Sequence, residues 1–144
     1  MAEVVSGDAI EALARVSKEA RKAIMRGVSK AAQFVVGTAK RNVRAKLNTT
    51  GEAKGNLSRS VSFDLEDRNL RALVGPRRVV YAAIHEFGGT IKPVKANYLR
   101  FQYKGSWHTV KSVTIPARPY LHPALVANEA NIEQAIGDAV EALL

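Results

Sequence analysis

The pair His85-Glu86 comes closer to a catalytic metal site than any other arrangement in this 144-residue sequence. The helix of a zinc protease carries His-Glu and a second histidine four positions after the first, so that both imidazoles share one face. Position 89 is glycine, so that second ligand is missing. The other histidines, His108 and His122, have no spacing that predicts three or four converging zinc ligands. We therefore expect no metal site and no cofactor.

No other motif in the sequence predicts a reaction centre. The chain lacks a Gly-x-Ser-x-Gly nucleophile elbow, a Walker loop and a dinucleotide-binding glycine fingerprint. Acidic residues cluster at positions 64, 66 and 67, but Asp64 and Glu66 alternate along a predicted strand and share its polar face. Solvation explains these carboxylates better than acid–base catalysis. We expect a protein that is not an enzyme, and a site assembled from residues distant in sequence is the remaining route to catalysis.

Glu86 and Arg118 are the charged residues with the clearest reason to interact. Glu86 lies beside Phe87 and Gly88 in an apolar segment, where an unpaired carboxylate is costly to bury. Prolines at positions 116 and 119 stiffen the backbone that presents Arg118, and a guanidinium suits bidentate binding of a carboxylate. Glu86 could cap the turn, or pair with Arg118 of its own chain or of a neighbour. The Pro-Ala-Arg-Pro segment could equally be a spacer between a strand and a helix.

Length and composition predict one domain with a hydrophobic core. The apolar content is 47%, which argues against global disorder. The chain contains no cysteine, which excludes disulfides and thiolate metal sites and is typical of a protein made in a reducing cytoplasm. Glu3, Asp8 and Glu11 interrupt any apolar h-region at the N-terminus, so we expect no signal peptide. No window of about 18 apolar residues is present, so we expect no membrane span.

The net charge of +9 is distributed unevenly. Residues 1–47 and 48–116 carry +6 each, whereas residues 117–144 carry −3. A basic body can bind nucleic acid, can bind an acidic protein such as the acidic end of a neighbouring copy, or can simply be solvated. We expect the basic body to meet the acidic last helix, within or between subunits, through Glu133 and Glu141.

Residues 8–46 have the periodicity of one long helix. Ser6 or Asp8 can cap its start, whereas Gly27 and Gly37 can kink or break it, since each weakens a helix by about 1 kcal/mol relative to alanine. Unbroken, the helix would span about 58 Å, so part of it must bend or pack outside its own domain. The apolar stripe consists of Ile10, Leu13, Ala20, Ile24, Val28, Ala31, Val35, Ala39 and Val43.

The middle of the chain has the alternating pattern of short antiparallel strands. Residues 48–56 are turn formers and predict a mobile loop. Residues 57–115 predict an antiparallel sheet of about four strands, with a short helix near 79–87 that two glycines end. The strands are expected at 61–66, 70–74, 99–103 and 107–115, with a loop at 91–97.

A proline-rich arm over residues 116–122 precedes a final helix over 123–144. Pro123 suits the first turn of this helix. The order of helix, strands and helix predicts an α+β fold, in which a long N-terminal helix and a C-terminal helix pack on a small antiparallel sheet. The apolar stripe of the last helix consists of Leu125, Ile132, Ile136, Val140 and Leu143.

Two segments, together with a shorter third, resemble a known family. The first is Tyr81-Ala-Ala-Ile-His-Glu-Phe-Gly-Gly-Thr90 and the second is Ile115-Pro-Ala-Arg-Pro-Tyr-Leu-His-Pro-Ala124. The third is Lys54-Gly-Asn-Leu-Ser-Arg-Ser-Val61, in which Lys54 replaces the usual threonine. Over most of residues 40–125 the chain is similar to the tail-component and virion-morphogenesis proteins of long-tailed double-stranded-DNA bacteriophages, many of which have phenylalanine in place of Tyr120.

The resemblance implies a structural protein of the virion neck or tail end, made in the host cytoplasm. It implies a homo-oligomeric ring, hexameric rather than twelvefold, that completes the tail and joins it to the head. The expected partners are a head connector or adaptor protein, a tail terminator or tail-tube protein, and genomic DNA that crosses the lumen without being read by sequence. No membrane is expected. The resemblance and the charge pattern together predict the residues of the subunit or partner interface. These residues are Glu86, Phe87, Gly88, Arg118, Tyr120, Glu133 and Glu141.

A non-specific nucleic-acid-binding module is the alternative. Such a module would explain the net charge of +9, and its monomer would bind DNA in a salt-sensitive manner. Against it, the aromatic residues lie mostly in apolar-patterned strands rather than interleaved with Lys and Arg as a stacking platform. An enzyme of virion assembly is the third class, and it needs a catalytic arrangement that the sequence does not show.

Overall fold

The longest element of the computed structural model, which describes residues 7–47 and 52–144, is helix α1 at Gly7–Lys46. Its 40 residues span about 60 Å at 1.5 Å per residue, and the helix continues without a break across both glycines. The predicted caps and the stripe residues Ile10 and Leu13 lie outside the described side chains. The buried members of the predicted stripe are Val28, Ala31, Val35, Ala39 and Val43.

In the described ranges four short α-helices, one 3-10 turn at Asp67–Asn69 and six short strands follow α1, so the fold is α+β as the sequence predicts. The helices are α2 at Glu52–Ser60, α3 at Ala82–Phe87, α4 at Leu121–Ala127 and α5 at Glu129–Glu141. The described strands are β1 at Val61–Glu66, β2 at Arg71–Pro76, β3 at Gly89–Ile91, β4 at Leu99–Tyr103, β5 at Ser106–Val110 and β6 at Val113–Ile115.

These strands form three separate antiparallel pairs rather than one sheet of four. Strand β1 pairs with β2, β3 with β6, and β4 with β5. The single strand predicted over 107–115 is therefore wrong, because the chain bends at Lys111-Ser112 and its two halves pair with different partners. The loop predicted to begin at residue 91 begins at residue 92 in the structure, since Ile91 ends β3.

Two other predicted boundaries differ from the structure. The loop predicted over 48–56 is wrong for residues 52–56, which belong to α2, and residues 48–51 lie outside the described part. Helix α2 forms despite Gly55 because it brings Leu57 into the core, where packing outweighs propensity. The final helix starts at Leu121 and divides at Asn128, whose side-chain amide donates to the Ala124 carbonyl at 2.8 Å.

The core lies where the C-terminal half of α1 meets α2, α3 and the start of α4. It consists of Val35, Ala39, Val43, Leu47, Leu57, Val61, Ala82, Tyr120 and Ala124. Nearer the N-terminus of α1, this helix packs closely on α5 at Gly27. A Cβ at position 27 would lie 2.9 Å from both the Ala135 carbonyl oxygen and Ala139 Cβ. The described side chains of α1 between positions 11 and 22 are exposed, apart from half-buried Ala20.

None of the helices in the described ranges is both long enough and apolar enough to cross a membrane.

Candidate subunit interface

The two segments that carry the family resemblance, 81–90 and 115–124, lie against each other. Strands β3 and β6 pair, with Gly89 opposite Ile115, and the Arg118 N–H donates to the His85 carbonyl at 2.8 Å. Gly88 has a φ of 71°, and a Cβ on it would lie 2.7 Å from the Ala117 nitrogen. The two segments therefore form one unit, and Gly88 permits their close approach.

Glu86 holds the start of α4. Its Oε2 accepts hydrogen bonds from the N–H groups of Tyr120 at 2.7 Å and Leu121 at 3.0 Å, and its Oε1 accepts one from His122 at 3.0 Å. Amides at a helix start have no partner within the helix, and the helix dipole favours a negative charge there. Burial alone would raise the pKa of Glu86, but the three amides and the nearby His122 outweigh it, so the pKa lies below 4.5.

The predicted pair between Glu86 and Arg118 does not form within the chain. The Glu86 carboxylate is bonded to backbone and only 8% exposed, so it is not presented to a neighbour either. The role of Glu86 is closer to the predicted alternative in which it caps the turn. In the structure it caps the start of α4 instead, although it does not belong to that helix. Arg118 is exposed, and its backbone N–H lies 2.8 Å from the His85 carbonyl oxygen. Burial first and the Arg118 charge second lower the pKa of the His85 imidazole.

The side chain of Tyr120 lies in the core of its own chain rather than on the surface that the prediction implied. Its side chain is 1% exposed and its hydroxyl lies 3.5 Å from the Ala82 carbonyl oxygen. Burial and the charge of Glu86 raise its pKa to about 12. The end of α1 fixes the segment before α4, because Asn42 Nδ2 donates to the Tyr120 carbonyl and Lys46 Nζ donates to the Pro119 carbonyl.

The other predicted interface residues reach the surface. Phe87 is 80% exposed, and Arg118, Glu133 and Glu141 are exposed as well. None of these three charged residues forms an ion pair within residues 7–47 and 52–144. Helix α1 of the basic body does pack on the acidic helix α5, but in the described part of the chain no ion pair of Glu133 or Glu141 joins them. Contact between subunits through these residues stays a prediction.

A projecting hairpin, Leu99–Val110, is a candidate contact surface that the sequence analysis placed in the sheet. We call it the hairpin arm. Strands β4 and β5 pack chiefly on each other. Their register puts Phe101 opposite His108 and Tyr103 opposite Ser106 on one face, where Phe101 is 39% and Tyr103 is 58% exposed. Alternation in the sequence predicted the shared face but not its exposure.

The second surface that sequence reasoning missed is concave. A cavity of about 440 Å³ opens between α1, β2, α4 and α5, and we call it the apolar pocket. Its lining includes Val28, Leu73, Leu125 and Ile136, and Leu73 and Leu125 are each 49% exposed. Its volume falls in the range of about 300–1,000 Å³ that is usual for binding pockets. No signal in the sequence marks it, because its walls come from four separate elements.

Within the described ranges, no group of three or more His, Asp or Glu side chains is placed to hold a metal ion. The features that reach the surface are the hairpin arm, the apolar pocket and exposed charged side chains.

Comparison with known proteins shows the family to which the chain belongs. A search of curated proteins and a search of solved structures each found no match. One family model, described as the phage virion morphogenesis family, matches residues 7–144, which include every helix and strand described above. The chain therefore belongs to the phage virion morphogenesis family.

Proposed function

We propose that this chain is a structural protein of the phage neck or tail end, where it forms a ring that completes the tail and joins it to the head connector. Family membership supports the coarser role in building the virion. The finer proposal depends on one observation, which is that the chain leaves two unlike apolar surfaces uncovered. One is the projecting hairpin arm and the other is the apolar pocket.

Unlike surfaces on one chain favour head-to-tail contacts. Such contacts close into a ring when the rotation between copies fits, and otherwise run into an open filament. The exposed side chains of α1 at positions 11 and 14–19 offer a further surface, which can reach a head connector or adaptor on one side or a tail terminator or tail-tube protein on the other. We favour six copies, and we place the genomic DNA in the lumen without sequence readout.

A phage that lacks this gene should make heads and tails that fail to join. We expect electron microscopy of the lysate to show DNA-filled heads beside separate tails, because the proposed ring acts after both are built. Expression of the intact chain from a plasmid should restore joined particles and infectivity. Joined, infectious particles without the chain would refute the proposal, and so would a lysate that lacks tails altogether.

A non-specific DNA-binding module is the second candidate, and one observation favours it. The Arg100 guanidinium lies 4.7 Å from the Trp107 ring centroid, and Lys104 Nζ lies 5.4 Å from that of Tyr103. Cations and exposed aromatics are thus interleaved in the hairpin arm, contrary to the expectation from the sequence. Such a module would bind DNA as a free monomer with a steep salt dependence and would lose binding in Trp107→Ala. The ring protein needs neither property.

A further inference from the structure

The hairpin arm has one apolar face that its own chain does not cover. Leu99, Phe101 and Tyr103 alternate along β4 and share this face with Val110 and His108 of β5. The Phe101 ring stacks on the His108 ring with centroids 5.7 Å apart. An isolated two-stranded hairpin is at best marginally stable in water, so this face gains from a partner.

The hairpin arm and the residues that flank it form a basic stretch, of which Arg100 and Lys104 lie in the arm itself. No Asp or Glu occurs between Phe87 and Asn128, and five cations lie within residues 92–111. None of the five forms an ion pair in the described part of the chain. They are Lys92, Lys95, Arg100, Lys104 and Lys111. A partner for this arm should therefore be apolar at its centre and acidic at its edge.

The apolar pocket has both properties. Ile132 and Ile136 of α5 line it, and Glu129 and Glu133 each precede one of these isoleucines by three positions, which places the carboxylates on the same side of the helix. Both glutamates are exposed and unpaired within the described residues. No Lys or Arg follows position 118 to offset them. Arg71 also lines the pocket, but it is bonded to Glu66 at 2.6 Å.

We propose that the hairpin arm of one copy inserts Phe101 and Tyr103 into the apolar pocket of the next copy, while Lys104 at the turn of the arm faces Glu129 and Glu133. This inference rests on the proposed ring and names its subunit contact. A second copy fits better than DNA, because phosphates would be repelled by the acidic rim and would leave the apolar lining uncovered. The contact joins unlike surfaces, so it repeats around a ring.

The absence of cysteine from the sequence allows a direct cross-linking test. The full chain carrying Tyr103→Cys and the full chain carrying Leu125→Cys are expressed together in the infected host, and particles are purified and oxidised. We expect a disulfide-linked dimer that forms only when both variants are present. One chain that carries both changes should give a ladder whose largest closed species reports the number of copies.

Two controls make the test specific. Thr109→Cys lies on the opposite face of the hairpin arm and should not cross-link to Leu125→Cys. Adding Glu129→Lys and Glu133→Lys should reduce the yield about three- to tenfold at low salt, and adding Lys104→Glu should restore part of it. Phe101→Cys with Leu73→Cys gives an independent second pair.

The outcomes separate this contact from the proposed function. Particles that contain several copies of the chain without either cross-link would overturn the arm-to-pocket contact and leave the ring intact. A cross-link from Tyr103→Cys to a different tail or head protein, or binding of DNA by the hairpin arm in the particle, would also overturn it. Particles that lack the chain would instead refute the proposed function.

Discussion

Phe101→Asp combined with Tyr103→Asp is expected to abolish the joining of heads to tails while leaving the chain folded. Both side chains lie on the exposed apolar face of the hairpin arm, and neither belongs to the core. Central aromatic anchors of an interface typically contribute about 2 kcal/mol or more each, which is roughly 30-fold in affinity. A ring repeats the loss at every contact. Complementation of the gene-deficient phage, scored as infectious titre and by electron microscopy, measures the effect.

Gln102→Asp combined with Thr109→Asp is the matched control. These residues lie on the opposite face of the same hairpin arm, and the change in charge is the same. The control should complement normally, whereas the first variant should give unjoined heads and tails. Both should keep the circular dichroism and Tm of the parent, because strands β4 and β5 pack chiefly on each other. Full complementation by the first variant would refute a role for this face.

Glu86→Ala should lower the free energy of unfolding by about 3 kcal/mol, the upper end for hydrogen bonds to a charged group. Its carboxylate is the partner of three amides at the start of α4, and their bonds are lost together. At roughly 2–4 °C per kcal/mol, Tm should fall by about 6–12 °C. Glu133→Ala removes an exposed, unpaired carboxylate and should change stability by less than about 0.5 kcal/mol.

The contribution of Glu86 should also depend on pH. Its pKa is lowered in the folded chain, so the unfolded chain takes up a proton more readily as the pH falls below 4.5. The stabilisation is therefore complete above pH 4.5 and is lost as the pH falls through the folded pKa. Burial of His85 acts in the same direction below pH 6.5, because the folded imidazole resists protonation. Thermal unfolding between pH 7 and pH 3 should show a shallower acid dependence in Glu86→Gln, and an unchanged profile would contradict the capping role.

The periodic spacing of apolar residues predicted the helices and strands in which that spacing marks the packed face. The stripe through Val28, Val35 and Val43 fixes the buried face of α1. Alternation predicted strand β1 but not its burial, since Leu65 is 46% exposed. The partner of Glu86 was not predictable in the same way, because it is a set of backbone amides and every non-proline residue carries one. Glu86 and Arg118 lie in the two segments that meet, yet the contact is made by backbone rather than by the guanidinium.

The sequence could not predict which side-chain faces are exposed to solvent. Alternation at Leu99, Phe101 and Tyr103 shows that these side chains share a face, but not whether another element covers that face. Tyr120 shows the reverse case, since the family resemblance placed it in an interface and its ring lies in the core. The charge pattern was the useful signal for the hairpin arm, because an acid-free stretch with five cations marks a surface that another acidic surface can bind.

The symmetry and copy number of this chain in the assembled particle test the central claim most directly. Electron cryomicroscopy of the neck, without imposed symmetry, should show a closed ring of equivalent copies at the head-proximal end of the tail, with DNA or an open channel along its axis. Six copies are the expected number. A single copy per particle, or a location outside the neck and tail end, would contradict the account.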